Sequence, residues 1–231
     1  MALPWGHESD MVRAVADLRT ISLFAALSDE ALARVAQLAS ARPFAPGELL
    51  ILEGEPCREA YFLAAGRIRV LRLSPSGRQQ VLVQLGAGEA FNTVPAFQER
   101  GLNHATVEAI TSGLLYSVSV GDLRQLVAAC PEMALALLGD FANKLDHLTN
   151  LVEDLALRTV RGRLARFLLE QAGDTGVTRR WTQDEIAAQL GTVRDMVGRT
   201  LRSFADAGLV RRDRDRIVLL QRAGLRAEAE I

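Results

Sequence analysis

The sequence predicts an α+β chain, with an N-terminal antiparallel β-roll, a long helix and a C-terminal helical segment that ends in a two-stranded wing. Three observations carry that expectation. Between residues 49 and 120, short β-rich runs alternate with glycines about every 8–12 residues, the rhythm of an antiparallel sandwich or barrel rather than of parallel βαβ units. After Pro131, leucines and other apolar residues recur at helical spacing. From Trp181 on, a helix-capping motif, a turn glycine and an arginine-rich helical stretch follow in quick succession.

Residues 28–39 (SDEALARVAQLA) read as a short helix. Ser28 is placed to cap it, and Leu32, Val35 and Leu38 with Ala39 form its apolar stripe. The β-rich runs fall at 49–52, 60–64, 67–73, 80–85, 104–110 and 114–120. Among them RIRVLRL (67–73) alternates cleanly, and Ser74-Pro75-Ser76-Gly77 supplies a hairpin turn after it. Helical spacing returns after Ser119, breaks at Pro131 and resumes in a long helix. In that helix Leu138, Phe141, Leu145, Leu148, Val152 and Leu155 are spaced 3, 4, 3, 4 and 3, a heptad seam sustained for roughly two and a half heptads. Asp140, Lys144, Asp146, Glu153 and Asp154 lie off the seam. A parallel second copy of the helix suits such a seam better than the chain's own roll, so a homodimer is expected.

Thr159 is placed to cap the next helix, VRGRLARFLLEQA, which ends near Gly173. In WTQDEIAAQLGTVRDMVGRTLRSFADAGLV, Thr182, Gln183, Asp184 and Glu185 form a capping box that opens a short helix with an inner face of Ile186, Ala187 and Leu190. Gly191 gives the tight turn, and Thr192 is placed to cap a second helix that runs to about Ala207, before Gly208. Met196, Val197, Thr200, Leu201 and Phe204 are assigned to its buried side, and Arg194, Asp195, Gly198, Arg199 and Arg202 to its exposed one. This order of parts is a helix-turn-helix. An arginine on that face can donate two parallel hydrogen bonds to guanine, and a carboxylate can accept from the cytosine amino group. Gly198 would let the helix approach a groove closely. LVRRDRDRIVLL then reads as a wing, with Arg211, Arg212, Arg214 and Arg216 available for phosphates.

Charge supports this division. Residues 1–157 hold 12 basic and 18 acidic side chains, whereas residues 158–222 hold 14 and 8, so a balance of −6 is followed by one of +6. Only the C-terminal part is suited to meet a polyanion. Hydrophobic residues at 49% and charged ones at 24% describe a globular chain. No apolar run reaches the roughly 18 residues that span a bilayer, and MALPWGHESD lacks the basic start and apolar stretch of a signal peptide. The expected location is the cytoplasm, with no membrane partner. Cys57 and Cys130 are too few for a disulfide framework, a four-thiolate zinc site or an iron–sulfur cluster, so no metal site is expected.

Over nearly its full length the chain resembles the Crp/Fnr superfamily of transcription regulators. The resemblance rests on GEPCREAYFLAAGRIRVLRLSPSGRQQ in the roll, on the proline-initiated long helix, on VRGRLARFLLEQAG, and most strongly on TQDEIAAQLGTVRDMVGRTLRSFADAGLVRR. It implies a cyclic-nucleotide-binding-like jelly roll and a winged helix-turn-helix that binds a near-palindromic operator as a dimer, with Thr182, Gln183, Thr192, Arg194, Asp195, Gly198, Arg199, Arg202 and Arg212 at the DNA. The family's recognition helix carries an Arg-Glu-x-x-Gly-Arg pattern, matched here by Arg194, Asp195, Gly198 and Arg199. Asp195 is one methylene shorter than the usual glutamate, so its reach to cytosine, and the family's TGTGA-like half-site, are expected to change.

The sensor departs further. Cyclic-AMP binders of the family hold ribose and phosphate with a Gly-Glu pair and an Arg-Ser pair, where FNTVPAFQERGLNHATV places Asn92-Thr93 and Asn103-His104. The phosphate loses its charge-assisted anchor, so cyclic AMP is not the expected effector. A different small-molecule effector is implied at Asn92, Thr93, Asn103, His104 and Thr149. RNA polymerase is a further partner that the resemblance admits.

Other readings are a haem- or redox-sensing regulator of the same family, a ligand-independent regulator and a cupin-type metalloenzyme. Haem ligation by His104, His7 or His147 has no supporting motif, and no cofactor is expected. His104 is placed on the polar side of its strand, and Cys57 in an exposed turn where a thiol could respond to oxidants. A cupin centre needs clustered histidines and carboxylates on neighbouring strands, but the roll has the single histidine His104, so no enzyme activity is expected. The expected domains are a sensor roll with short N-terminal helices at 1–131, a dimerisation helix and hinge at 132–157, and a DNA-binding domain at 158–231.

Overall fold

The computed structural model describes residues 8–74, 79–172, 176–178, 181–213 and 216–230, apart from the side chains of Glu8, Ser9 and Leu155. The expected turn at 74–77 beyond Ser74, His7, Gly173, Arg214 and the seam contact of Leu155 therefore lie outside the described residues. The chain forms two compact units, Met1–Arg72 with Val83–Asp146, and Leu73–Leu82 with His147–Ile231.

The first unit opens with helices α1 (Glu8–Arg19) and α2 (Asp29–Leu38). The Ser28 hydroxyl caps α2 by accepting from the Ala31 amide at 3.2 Å, as its position requires. The strands are β1 (Ser40–Phe44), β2 (Leu49–Ile51), β3 (Glu59–Ala65), β4 (Arg67–Leu73), β5 (Gln79–Gly86), β6 (Ala90–Phe91), β7 (Thr106–Ala109) and β8 (Gly113–Ser119). They build two four-stranded sheets, ordered β1-β8-β3-β6 and β2-β7-β4-β5, with antiparallel pairing. Phe44, Leu63, Ile68, Phe91, Val107 and Leu115 fill the space between the sheets. Ala60, Phe62, Tyr116 and Val118 meet a second core made with the helices, including Leu18, Phe24, Leu32 and Leu123. Each such leucine, isoleucine, valine or phenylalanine stabilises the fold by about 1.5–3 kcal/mol on full burial.

The short strands β1 and β6 were not expected. Four exposed residues, Pro43 among them, hide β1, which lies at a sheet edge, where the missing proline amide costs no ladder bond. Two residues carry too little pattern for β6 to be read. Helix α1, one of the short N-terminal helices expected without bounds, buries Ala14 and Leu18 completely at helical spacing.

Helix α3 (Val120–Ala129), capped by Ser119, leads to Pro131, where α4 (Pro131–Leu157) begins. Pro131 tolerates that first position because its absent amide would have had no helical partner. Met133 and Leu137 are buried in the helix-facing core of the first unit. No single helix among the described residues is long and apolar enough to cross a membrane.

The second unit holds α5 (Val160–Ala172), α6 (Gln183–Leu190), α7 (Arg194–Asp206), the hairpin β9 (Val210–Asp213) and β10 (Arg216–Leu219), and α8 (Arg222–Ala229). Thr159 caps α5, its hydroxyl accepting from the Gly162 amide at 3.1 Å. Leu164, Leu168, Ile186, Val197, Leu201, Phe204 and Leu225 form one core. Helix α8 was not anticipated. It is fastened by Glu228, which accepts from the Arg161 guanidinium at 2.5 Å, while that guanidinium also lies 4.6 Å above the Phe204 ring.

Candidate nucleic-acid interface

The two helices α6 and α7 are joined by a tight turn whose chemistry is local. Thr182 and Glu185 complete the capping box, with the Glu185 amide donating to the threonine hydroxyl at 3.1 Å and the Thr182 amide to the carboxylate at 2.7 Å. Gly191 ends α6 at a φ of 63°, a left-handed conformation that a side chain disfavours. The Leu190 carbonyl, left without a helical donor, accepts from Arg163 Nε at 3.1 Å. Burial lowers the Arg163 pKa from its usual value, in keeping with a structural role.

Three assignments on α7 change. Thr192 does not cap the helix: Val193 stands at that position, makes no side-chain cap bond, and Thr192 is buried. Met196, expected inside, is 36% exposed, because the buried stripe runs through Val197, Thr200, Leu201 and Phe204. Gly198, expected on the groove side, is buried; a Cβ there would stand 3.1 Å from Gln183 Oε1. The missing side chain makes room for Gln183 of α6, and thus for packing of the two helices.

Arg194, Asp195, Arg199 and Arg202 are exposed on α7 as expected. Each has a local partner. Arg199 Nε donates to Asp195 at 3.0 Å, Arg202 Nε to the Gly198 carbonyl at 3.3 Å, and Arg194 Nη1 meets Asp184 at 3.3 Å. The hydrogen bond and charge of Arg199 hold the Asp195 carboxyl below its ordinary range, so it is a charged acceptor at neutral pH. On the wing, Arg211, Arg212 and Arg216 are exposed and form no ion pair among the described residues. Arg194, Arg212 and Arg216 line one cleft of about 370 Å³ with Trp181, Thr182 and Gln183. Composition overstated the charge on offer: Arg158, Arg161 and Arg166 are engaged by Asp154, Glu170 and Glu228.

In the roll, Asn92 and Asn103 come together, with Asn92 Nδ2 donating to Asn103 Oδ1 at 3.0 Å and to the Glu59 carbonyl at 3.0 Å. Asn103 in turn donates to the Leu52 carbonyl at 3.1 Å. Thr93 is only 1% exposed and lies between two residues of α4, accepting from Lys144 Nζ at 3.0 Å and donating to Asp140 at 3.3 Å. Sequence reasoning set Asp140 and Lys144 aside as the polar side of the helix; their four-residue separation was the available signal. His104 is exposed and bonded to Gln98 at 2.7 Å, and Thr149 is exposed on α4. His147 meets the Leu82 carbonyl at 2.8 Å.

Cys57 is not the exposed turn thiol expected. It is half-buried, accepts from Asn92 Nδ2 at 3.3 Å, and burial raises its pKa, which disfavours the reactive thiolate. Cys130 is also half-buried, 3.2 Å from Glu132. Among the described residues, no three His, Cys, Asp or Glu side chains gather where they could hold a metal ion.

Along α4, Leu138, Leu145 and Val152 are 63%, 66% and 65% exposed, and Leu148 is also exposed. Leu135 extends the stripe by one more residue. Phe141 differs: it is half-buried, its ring edge-on to Phe97 with centroids 6.1 Å apart.

Comparison with known proteins agrees with both units. A model of the cyclic nucleotide-binding domain matches residues 41–130, and one of the Crp-like helix-turn-helix domain matches residues 162–228. The chain is 30% identical over 179 residues to the cAMP-activated global transcriptional regulator Vfr of Pseudomonas aeruginosa, covering 73% of this chain and 84% of that one. It is 29% identical over 202 residues to the CRP-like cAMP-activated global transcriptional regulator of Mycobacterium tuberculosis, covering 84% and 90%. Among solved structures, a transcriptional regulator of the Crp/Fnr family from Eubacterium rectale superposes with a TM-score of 0.79 at 21% identity, over 92% of this chain and all of the other.

Proposed function

The chain belongs to the Crp/Fnr superfamily of DNA-binding transcription regulators, and from that premise we propose that it works as a homodimer on a near-palindromic operator. The observation that carries the DNA reading is the pair of exposed arginines, Arg194 and Arg199, on the face of α7 opposite Val197, Leu201 and Phe204. Two copies pair along α4, with the exposed Leu138, Leu145, Leu148 and Val152 joined by Phe141 and Leu155 as the seam. Each then sets one α7 into the major groove, with half-sites about one helical turn, roughly 34 Å, apart. Residues 1–131 sense, 132–157 pair and 158–231 read, in the cytoplasm. Sedimentation of the full chain on DNA carrying its selected site tests this: two chains per duplex is the expected stoichiometry, and one chain would contradict the proposal.

Wing and recognition helix divide the labour. Arg212 serves a phosphate, so Arg212→Ala is expected to weaken operator and random DNA nearly equally and to lower the slope of log affinity against log salt by about 0.9. A loss confined to the operator, measured by salt-dependent anisotropy titration, would move Arg212 to base reading.

The effector, in this reading, is a small molecule other than cyclic AMP. Thr93 and Asn103 stand where the resemblance puts a ribose-binding glutamate and a phosphate-binding arginine, and both are already bonded within the protein. Each charge-assisted contact contributes about 1.5–3 kcal/mol, so losing two weakens binding by some two to four decades. Cyclic AMP and cyclic GMP are therefore expected neither to raise the melting temperature nor to tighten operator binding at sub-millimolar concentration. Saturable micromolar binding by calorimetry would overturn this, and its loss in Arg100→Ala would identify the substitute anion partner. An effector in the roll acts by favouring one of two states of the hinge at 157–159.

A further inference from the structure

The helix before α7 carries an acid opposite the first arginine of α7. Asp184 sits in the first turn of α6, Arg194 at the first position of α7, and the two meet at 3.3 Å across the turn of the helix-turn-helix. Both side chains are about two-thirds exposed and adjoin the cleft shared with Arg212 and Arg216. An acid at the first turn of α6 gains from the helix dipole, but many residues would cap that turn as well, and the capping box already uses Thr182 and Glu185. Against DNA the same carboxylate is unfavourable, because it stands in a groove surface that must accept phosphates.

We propose that Asp184 is a specificity-determining residue: it holds Arg194 toward the base edges and cancels the charge that would otherwise attach this arginine to any phosphate. The inference rests on the DNA reading given above and adds to it. With Asp195 beside Arg199, the two reading arginines each face a carboxylate, so the reading patch is close to neutral. The net positive charge is left to Arg202 and the wing. A neutral reading patch attracts random DNA weakly, while the site that supplies guanine acceptors in place of Asp184 and Asp195 still recovers the arginine hydrogen bonds. Specificity is the ratio of the two affinities, so lowering the random-sequence one raises it.

The test compares wild type with Asp184→Asn, Asp184→Glu and, as a charge control at the far end of α7, Asp206→Asn. Each full-length protein is titrated against a random-sequence duplex and against the duplex that wild type enriches from a random pool, over a range of salt. Asp184→Asn is expected to bind the random duplex about three- to tenfold more tightly, with a salt slope steeper by about 0.9 as Arg194 takes up a phosphate. Its enrichment should flatten at one base position in each half-site. Asp184→Glu should restore both properties, and all variants should melt near wild type. Unchanged binding by Asp184→Asn would overturn the inference, as would tighter random binding with undiminished enrichment, or the same effect from Asp206→Asn. If wild type enriches no sequence, the DNA reading itself fails and takes this inference with it.

Discussion

Replacing Leu145 and Leu148 together with aspartate is expected to give folded monomers that no longer hold an operator tightly. Both leucines are exposed on α4 in the single chain and belong to the core of neither unit, so each unit should still fold. In the dimer each would lose about 1.5–3 kcal/mol of burial, and four carboxylates would enter one apolar seam, where unpaired charge is strongly disfavoured. The dimer should weaken by at least three decades on that account. Operator affinity falls with it, because a single reading head loses the gain that comes from linking two. Sedimentation velocity combined with circular dichroism checks this result. A folded dimer from the double variant would show that the seam lies elsewhere on the molecule.

Arg199→Ala is the second large effect. The arginine is exposed on α7, and the bidentate guanine contact proposed for it would discriminate by about 1–3 kcal/mol in each half-site. Loss over both half-sites should lower operator affinity by one to four decades, while random DNA loses far less. The variant also leaves Asp195 without its partner, so a bare carboxylate faces the groove and adds to the loss. Flattened discrimination should be confined to the guanine position that Arg199 reads. Equal weakening on operator and random DNA would place Arg199 on a phosphate instead.

The helix-turn-helix was the most legible part of the chain because its signals are local. The Thr182–Glu185 box, Gly191 and the inner face of α6 act within one or two turns, and each was found where the pattern put it. The errors there share a cause. Periodicity assigns a residue to a face to within about one position, so Met196 and Gly198, at the margins of the stripe, were exchanged. Thr192 had the chemistry of a cap, but α7 starts two residues later and leaves its side chain buried. The roll was legible in its long strands and not in edge strand β1 or the two-residue β6, whose identity comes from pairing with β8 and β3. Hardest to read were contacts between distant residues. Thr93 with Asp140 and Lys144, and Asp184 with Arg194, join positions that no period connects. Cys57 looked exposed because a Glu-Pro-Cys-Arg turn is polar, yet Asn92 folds over it.

The central claim is that two copies of α7 read two symmetric half-sites, and the symmetry of the DNA that the full-length protein selects tests it most directly. Selection from a random-sequence duplex pool should yield an inverted repeat whose half-site centres lie about 10 base pairs apart, one turn of B-form DNA. Inserting about half a turn between the halves should then abolish tight binding. A single asymmetric site, or binding that tolerates the insertion, would contradict the account.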